Sequence, residues 1–313
     1  MNFEKYNFEN FLDGLRNPRI FLGELYRLGV ELNIAYHQRT RSEHGVRVAE
    51  EDWDNLVILD ACRYDMFEGQ RFLSGDLQYR RSLGSESWEF LQANFAGEML
   101  HDTVYITANP HASKLPDDTF HAVVDLLEYG WDTEHQTVLP GAMVTAVQRA
   151  HERYPNKRLI AHFMQPHFPF IGDAGRRLEH GGIERPSAGG SGDSKRHVWG
   201  SLGHGRISGE DVWTAYRENL DVVLPHVNAL LSLVPGKSVV TSDHGNLLGE
   251  RTRPLPVRGY GHPRGLDVPE LRDVPWLVVE GSERRSVVAE PPVDEAGPSK
   301  HVVEDRLEAL GYR

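Results

Sequence analysis

Five short apolar runs, each closed by polar residues and separated by longer amphipathic stretches, constrain this chain more than any other feature. They lie at 56–59, 103–107, 159–164, 238–241 and 276–279. The first, Leu56-Val57-Ile58-Leu59, is continuous and ends in Asp60, the pattern of a strand buried on both faces. Apolar residues recur at helical spacing in 86–95, 119–128, 140–153, 209–233 and 300–310, with Pro225 expected to kink the long helix. Strand and helix in alternation predict an α/β fold, a mainly parallel central sheet sandwiched by helices.

Residues 1–50 read as a helical extension. Pro18 suits a first helical turn, and Ile20, Phe21, Leu25, Leu28, Leu32 and Ala35 follow at helical spacing. Two roles stay open for 18–37: packing on the main domain, or peripheral contact with a membrane through Arg19 and Arg27. Residues 51–313 are expected to form one α/β domain. Within it, 172–208 is glycine-rich and poor in apolar residues, which predicts a loop that governs substrate choice.

Several function classes are disfavoured. No run approaches the ~18 apolar residues of a membrane span, so no transmembrane segment is expected. The N-terminus shows no secretory signal, and Cys62 is the sole cysteine, which together predict a reducing, cytoplasmic setting. A formal charge of −12 argues against nucleic acid as a partner. The glycine fingerprints of P-loop and dinucleotide-binding proteins are absent, as is a Gly-x-Ser-x-Gly elbow.

In open parallel sheets, ligands bind beyond the carboxyl ends of the strands. The first strand delivers Asp60-Ala61-Cys62-Arg63-Tyr64-Asp65 to that edge. The third delivers Gln165-Pro166-His167-Phe168-Pro169. The fourth delivers Asp243-His244-Gly245, followed by Gly249-Glu250-Arg251 and Gly261-His262. Alone, a strand-terminal Asp is as readily a helix cap. Together, carboxylates and imidazole from separate strands form a natural site for Zn²⁺ or Mn²⁺.

Val57-Ile58-Leu59-Asp60-Ala61-Cys62-Arg63-Tyr64-Asp65 resembles the first metal-binding strand of sulfatase-like proteins in the alkaline phosphatase superfamily. Thr241-Ser242-Asp243-His244-Gly245, continuing to His262 and Val274-Pro275, is similar to their second metal-binding segment. Gln165-Pro166-His167-Phe168-Pro169-Phe170 resembles the segment between them. The resemblance spans roughly residues 54–280. It implies a metal-dependent hydrolase of phosphate or sulfate esters, working through a covalent intermediate.

The resemblance further implies one divalent ion, Mn²⁺ or Zn²⁺ with Ca²⁺ or Mg²⁺ as alternatives, held by Asp60, Asp243, His244 and a nucleophile oxygen. His167 and His262 would bind the ester oxyanion or protonate the leaving group. Formylglycine requires a proline two residues and an arginine four residues after cysteine; Tyr64 and Met66 stand there, so Cys62 does not qualify. A hydroxyl must serve, and the register before Trp88 favours Ser85, then Ser87, then Ser82. Ser87, Arg63 and Arg251 are substrate-binding candidates, Arg63 equally a partner for Asp65. A substrate of small-molecule, glycan or lipid-headgroup ester type is expected, with phosphate ahead of sulfate. The alternatives are a phosphoglycerol- or phosphoethanolamine-like transferase and an inactive anion-binding protein on the same fold.

Overall fold

The computed structural model describes residues 18–40, 44–70, 72–180, 198–281, 283–293 and 300–310. Its strands are β1 (Asn55–Leu59), β2 (Asp76–Arg81), β3 (Leu100–Thr107), β4 (Phe120–Asp125), β5 (Trp131–Asp132), β6 (Thr137–Val138), β7 (Arg158–Phe163), β8 (Ser238–Ser242), β9 (Leu247–Arg251), β10 (Arg258–Gly261) and β11 (Asp273–Val279). The helices are α1 (Pro18–Thr40), α2 (Tyr64–Gln70), α3 (Ser87–Phe95), α4 (Leu126–Tyr129), α5 (Pro140–Arg153), α6 (Asp173–His180), α7 (Val198–Gly203), α8 (Gly209–Leu233), α9 (Pro269–Arg272) and α10 (Lys300–Ala309).

Seven strands form one sheet in the order β2-β11-β8-β1-β7-β3-β4. The five from β8 to β4 are parallel, and β11 and β2 extend the sheet antiparallel. All five apolar runs named from sequence are strands of this sheet. The mainly parallel α/β architecture follows, because β1, β7 and β8 bury both faces and need helices on each side.

Side chains alternate between two cores, as a period of two requires. Val57, Leu59, Val104, Ile106, Leu159, Ala161, Phe163 and Val240 pack with α5 and α8. Leu56, Ile58, Tyr105, Ile160 and Val239 pack with Phe90, Leu91 and Phe95 of α3. Each such aliphatic side chain contributes roughly 1.5–3 kcal/mol by leaving water.

Three expectations change. Residues 119–128, expected as helix, form β4 and the short α4. Phe120, Ala122 and Leu126 bury there, and the β-branched Val123-Val124 pair extends the backbone. The expected loop 172–208 carries α6 and α7, while 181–197 lies outside the described residues. The half-exposed β2 carries no apolar run and gave no signal of its own.

Helix α1 docks on the β9–β10 arm. Asn33 donates to Thr252 Oγ1 and the Leu255 carbonyl, both at 2.7 Å, and Tyr26 lies 6.3 Å from Tyr260 between ring centroids. Among the described residues no helix is long and apolar enough to cross a membrane.

Candidate metal centre

The site forms where β1, β8 and α3 converge. β1 ends at Leu59, and Ala61 then takes a left-handed φ of 59°, turning the chain sharply after Asp60. That turn aims the Ala61 N–H at Asp243 Oδ1, 2.9 Å away, tying the end of β1 to the end of β8. Gly245 is required beyond it: a Cβ there would meet the Glu270 carbonyl oxygen at 2.2 Å. Gly84 has a similar role opposite, since its Cβ would lie 2.4 Å from the Phe90 nitrogen. Loop 82–87 therefore lies flat against α3.

Glu86 caps α3, its carboxylate accepting from the N–H groups of Trp88 and Glu89 at 2.8 Å each. Ser87 is thereby the first residue of the helix, fully buried and turned into the site. Its Oγ lies 2.7 Å from Asp243 Oδ2, 3.2 Å from His244 Nε2 and 3.3 Å from Asp60 Oδ2. His244 Nε2 stands 3.5 Å from Asp243 Oδ2 and 3.7 Å from Asp60 Oδ1. Asn109 at the end of β3 donates to Asp60 Oδ2 at 2.9 Å, fixing the second carboxylate.

These donors fit a divalent cation. Bonds of ~2.0–2.1 Å in a tetrahedron put ligand atoms about 3.3 Å apart, and the spacings above run from 2.7 to 3.7 Å. His244 Nδ1 donates to the Gly245 carbonyl at 2.8 Å, so its Nε2 presents a lone pair inward. Two fully buried carboxylates and an imidazole lone pair facing one another call for positive charge between them.

Burial by itself would push the Asp243 carboxyl up. In protonated form the His244 and His162 rings, with the Ala61 N–H, outweigh it and hold the carboxyl well below the usual range, a part that a bound cation would take over with both rings neutral.

His167 and His262 flank the cluster. Their ring centroids are 5.0 Å apart, and His262 lies 4.7 Å from His244. His167 Nδ1 donates to the Phe168 carbonyl at 2.5 Å, and His262 Nδ1 to Asn246 Oδ1 at 2.8 Å. In both rings these bonds assign Nδ1 as the protonated nitrogen.

The structure brings Asp60, Asp243, His244, His167, His262 and Ser87 together, and places four other candidates, Ser85, Ser82, Arg63 and Arg251, elsewhere. Ser85, expected as nucleophile and ligand, is committed to other partners. Its Oγ donates to Glu89 Oε2 at 2.7 Å and accepts from the Gly265 N–H at 2.8 Å. Glu86 rather than Ser85 is the cap, which moves the helix start and swings Ser85 out of the cluster. Ser82 Oγ bonds the Asp243 carbonyl.

Arg63, expected to bind substrate, is bound into the scaffold. Asp65 takes its Nε and Nη2 at 2.9 and 2.7 Å, Glu250 and the Asn246 carbonyl take Nη1, and Trp213 stacks beneath at 5.2 Å. Arg251 sits exposed at the end of β9, in register with Arg258. Cys62 is buried, and burial pushes its thiol well above the usual range.

Sequence reasoning gave no role to Asn109, Tyr105 or His162. The Thr107-Ala108-Asn109-Pro110 turn at a strand end carried a usable signal, since Asn before Pro favours an Asx turn. His162 was hidden inside an apolar run; its register with Ile58 and Thr107 sets it on the α3 face.

No protein-family model matches the chain, and no curated protein matches it in sequence. Solved structures do. The C-terminal periplasmic domain of EcEptC from Escherichia coli, in complex with Zn, is 11% identical over 77% of this chain and 76% of its own, with a TM-score of 0.47. The C-terminal periplasmic domain of phosphoethanolamine transferase EptC from Campylobacter jejuni is 14% identical over 73% and 78%, with a TM-score of 0.46. The soluble domain of lipooligosaccharide phosphoethanolamine transferase A from Neisseria meningitidis is 13% identical over 73% and 76%, with a TM-score of 0.43.

The expectation of a cytoplasmic protein is corrected by these likenesses: two of the three structures are described as periplasmic domains. Cysteine usage misled because a chain with a single cysteine has no intramolecular disulfide to lose in either compartment.

Proposed function

We propose that the chain cleaves phosphate esters through Ser87, with a divalent ion held by Asp60, Ser87, Asp243 and His244. The observation that carries this reading is the Ser87 hydroxyl, fully buried at a helix start and within 3.3 Å of both carboxylates and His244 Nε2. A bound ion would supply Lewis-acid charge that favours the serine alkoxide and balances charge in the displacement.

The chain's own residues define the rest. Ser87 Oγ, its proton released to solvent, attacks phosphorus as the bond to the leaving oxygen breaks. The N-terminal turn of α3 favours the anion that forms beside it. His167 or His262, protonated at Nε2, passes that proton to the leaving oxygen. The deprotonated imidazole then accepts a proton from water or an alcohol, whose oxygen displaces the Ser87 alkoxide from phosphorus and returns the site to its starting state. Phosphate is favoured over sulfate because the hydroxyl nucleophile stands in place of formylglycine, and Cys62 is buried.

The test is to trap the intermediate. Protein with added Zn²⁺ or Mn²⁺ is mixed with aryl phosphomonoesters and phosphodiesters, quenched in acid and mapped by mass spectrometry. A phosphorylated Ser87 is expected, together with a turnover loss of at least about 10³-fold in Ser87→Ala. Turnover that survives Ser87→Ala would sink the reading. Products formed with and without an added polyol show whether water or an alcohol is the acceptor.

A further inference from the structure

We propose that His162 supplies a second imidazole to the metal centre beside that of His244, an inference that rests on the reading that Asp60 and Asp243 hold a divalent ion. His162 lies inside β7, fully buried, and its Nε2 makes no hydrogen bond. A buried ring nitrogen without a partner costs about 1–3 kcal/mol, so such atoms are uncommon in folded proteins. Asp243 Oδ2 is 3.7 Å away, too far for a hydrogen bond but a normal separation between two ligands of one ion.

His244 gives the internal standard. Its Nε2 stands 3.5 Å from the same Asp243 oxygen and 3.7 Å from Asp60 Oδ1. His162 therefore relates to Asp243 as His244 does. Donor atoms of Asp60, His162 and Asp243 all lie within 4.8 Å of one another. Two ligands on opposite sides of an ion with ~2.1 Å bonds are about 4.2 Å apart, so a small closure brings all three into contact.

The two rings differ in what holds them. His244 is fixed by a carbonyl, which can only accept. His162 Nδ1 is fixed by the Tyr105 hydroxyl at 2.8 Å, which can accept or donate. Thr107 also hydrogen-bonds that hydroxyl. When Tyr105 donates toward Thr107 and accepts from His162 Nδ1–H, the His162 lone pair is at Nε2, facing the carboxylates. Tyr105 is thus a positioning residue for a ligand, the role that outer hydrogen bonds have at metal centres.

The decisive measurement is the number of imidazoles bound to Zn²⁺, read by X-ray absorption at the zinc edge on the full chain, with metal content measured on the same samples. Two imidazoles are expected in the wild type and one in each of His162→Asn and His244→Asn. Tyr105→Phe should keep both imidazoles while weakening Zn²⁺ binding about 10–100-fold. One imidazole in the wild type overturns the assignment of His162 and leaves the carboxylate site standing. Zinc absent from the wild type overturns both. If His162→Asn does not fold, the wild-type count and the Tyr105→Phe affinity still decide; an unchanged affinity there counts against the proposal.

Discussion

Asp243 and Asp125 are both buried carboxylates at the carboxyl ends of strands in one sheet, yet their acidities move in opposite directions. Asp125 ends the edge strand β4 and is pushed up to about 7, by burial first and by the like charge of Glu128. Its carboxylate caps α4, accepting from the Leu127 N–H at 2.9 Å. Asp243 follows β8, which has neighbours on both sides, and is held well below the usual range despite complete burial. Burial is common to both, so the difference lies in what adjacent elements bring. Around Asp243, β1 brings an N–H, β7 and the β8 turn bring imidazoles, and α3 brings a hydroxyl. A buried strand-terminal carboxylate thus either caps a helix and tolerates a proton or is held ionised by its neighbours, and position in the sheet decides which.

The largest effect should come from breaking the central partner. Asp243→Asn removes one anionic ligand but keeps the shape of the side chain and one acceptor for the Ala61 N–H. Zinc affinity should fall by more than about 100-fold and turnover on the order of 10³-fold or more. Metal content and turnover measured on one sample check this together. Retention of both would place the metal away from β8.

Asp125→Asn should act the other way, and on stability alone. The folded-state value lies above the unfolded one, so the protonated carboxyl stabilises the fold below about pH 4. That contribution is lost as pH rises through about 7. The three-unit gap corresponds to roughly 4 kcal/mol as an upper bound on what the ionised carboxyl costs at pH 8. Asparagine keeps the cap and removes the charge. Thermal unfolding should show Asp125→Asn stabilised at pH 8 by about 2 kcal/mol or more, and little changed at pH 4. Equal shifts at both values would mean that something other than ionisation is at work.

The same contrast explains what the sequence made legible. Asp60 and Asp243-His244 stood out because each follows a short β-branched-rich run, and such runs become central parallel strands whose ends meet. His167 and His262 were legible only through the motifs that the family resemblance supplied. Asn109 and His162 went unread because their roles depend on register between strands, which residue order along one strand does not carry. Arg63 read equally as an anion clamp or a partner for Asp65; the structure has the Asp65 pair, and only the folded chain adds Glu250 and Trp213 to it. Residues 119–128 mixed helical and alternating periods, and the edge position of β4 left its apolar pattern incomplete.

The smallest effect is expected where two serines two positions apart are compared. Ser85 and Ser87 are both buried, and the resemblance alone ranked Ser85 first. The proposed order, Ser87 first, rests on Glu86 and Glu89, because Glu86 caps α3 while Glu89 accepts both the Ser85 hydroxyl and its N–H. The spacing of a capping box was present in Glu86-Ser87-Trp88-Glu89, with an acid in place of the usual hydroxyl at its head. Ser85→Ala should cost about 1 kcal/mol of stability for the lost hydroxyl contacts to Glu89 and Gly265, and change turnover less than about threefold. Chemical denaturation and steady-state rates on the same variant measure the two. A turnover loss comparable to that of Ser87→Ala, without matching loss of stability, would return the nucleophile to Ser85 and with it the helix start to the residue before Glu86.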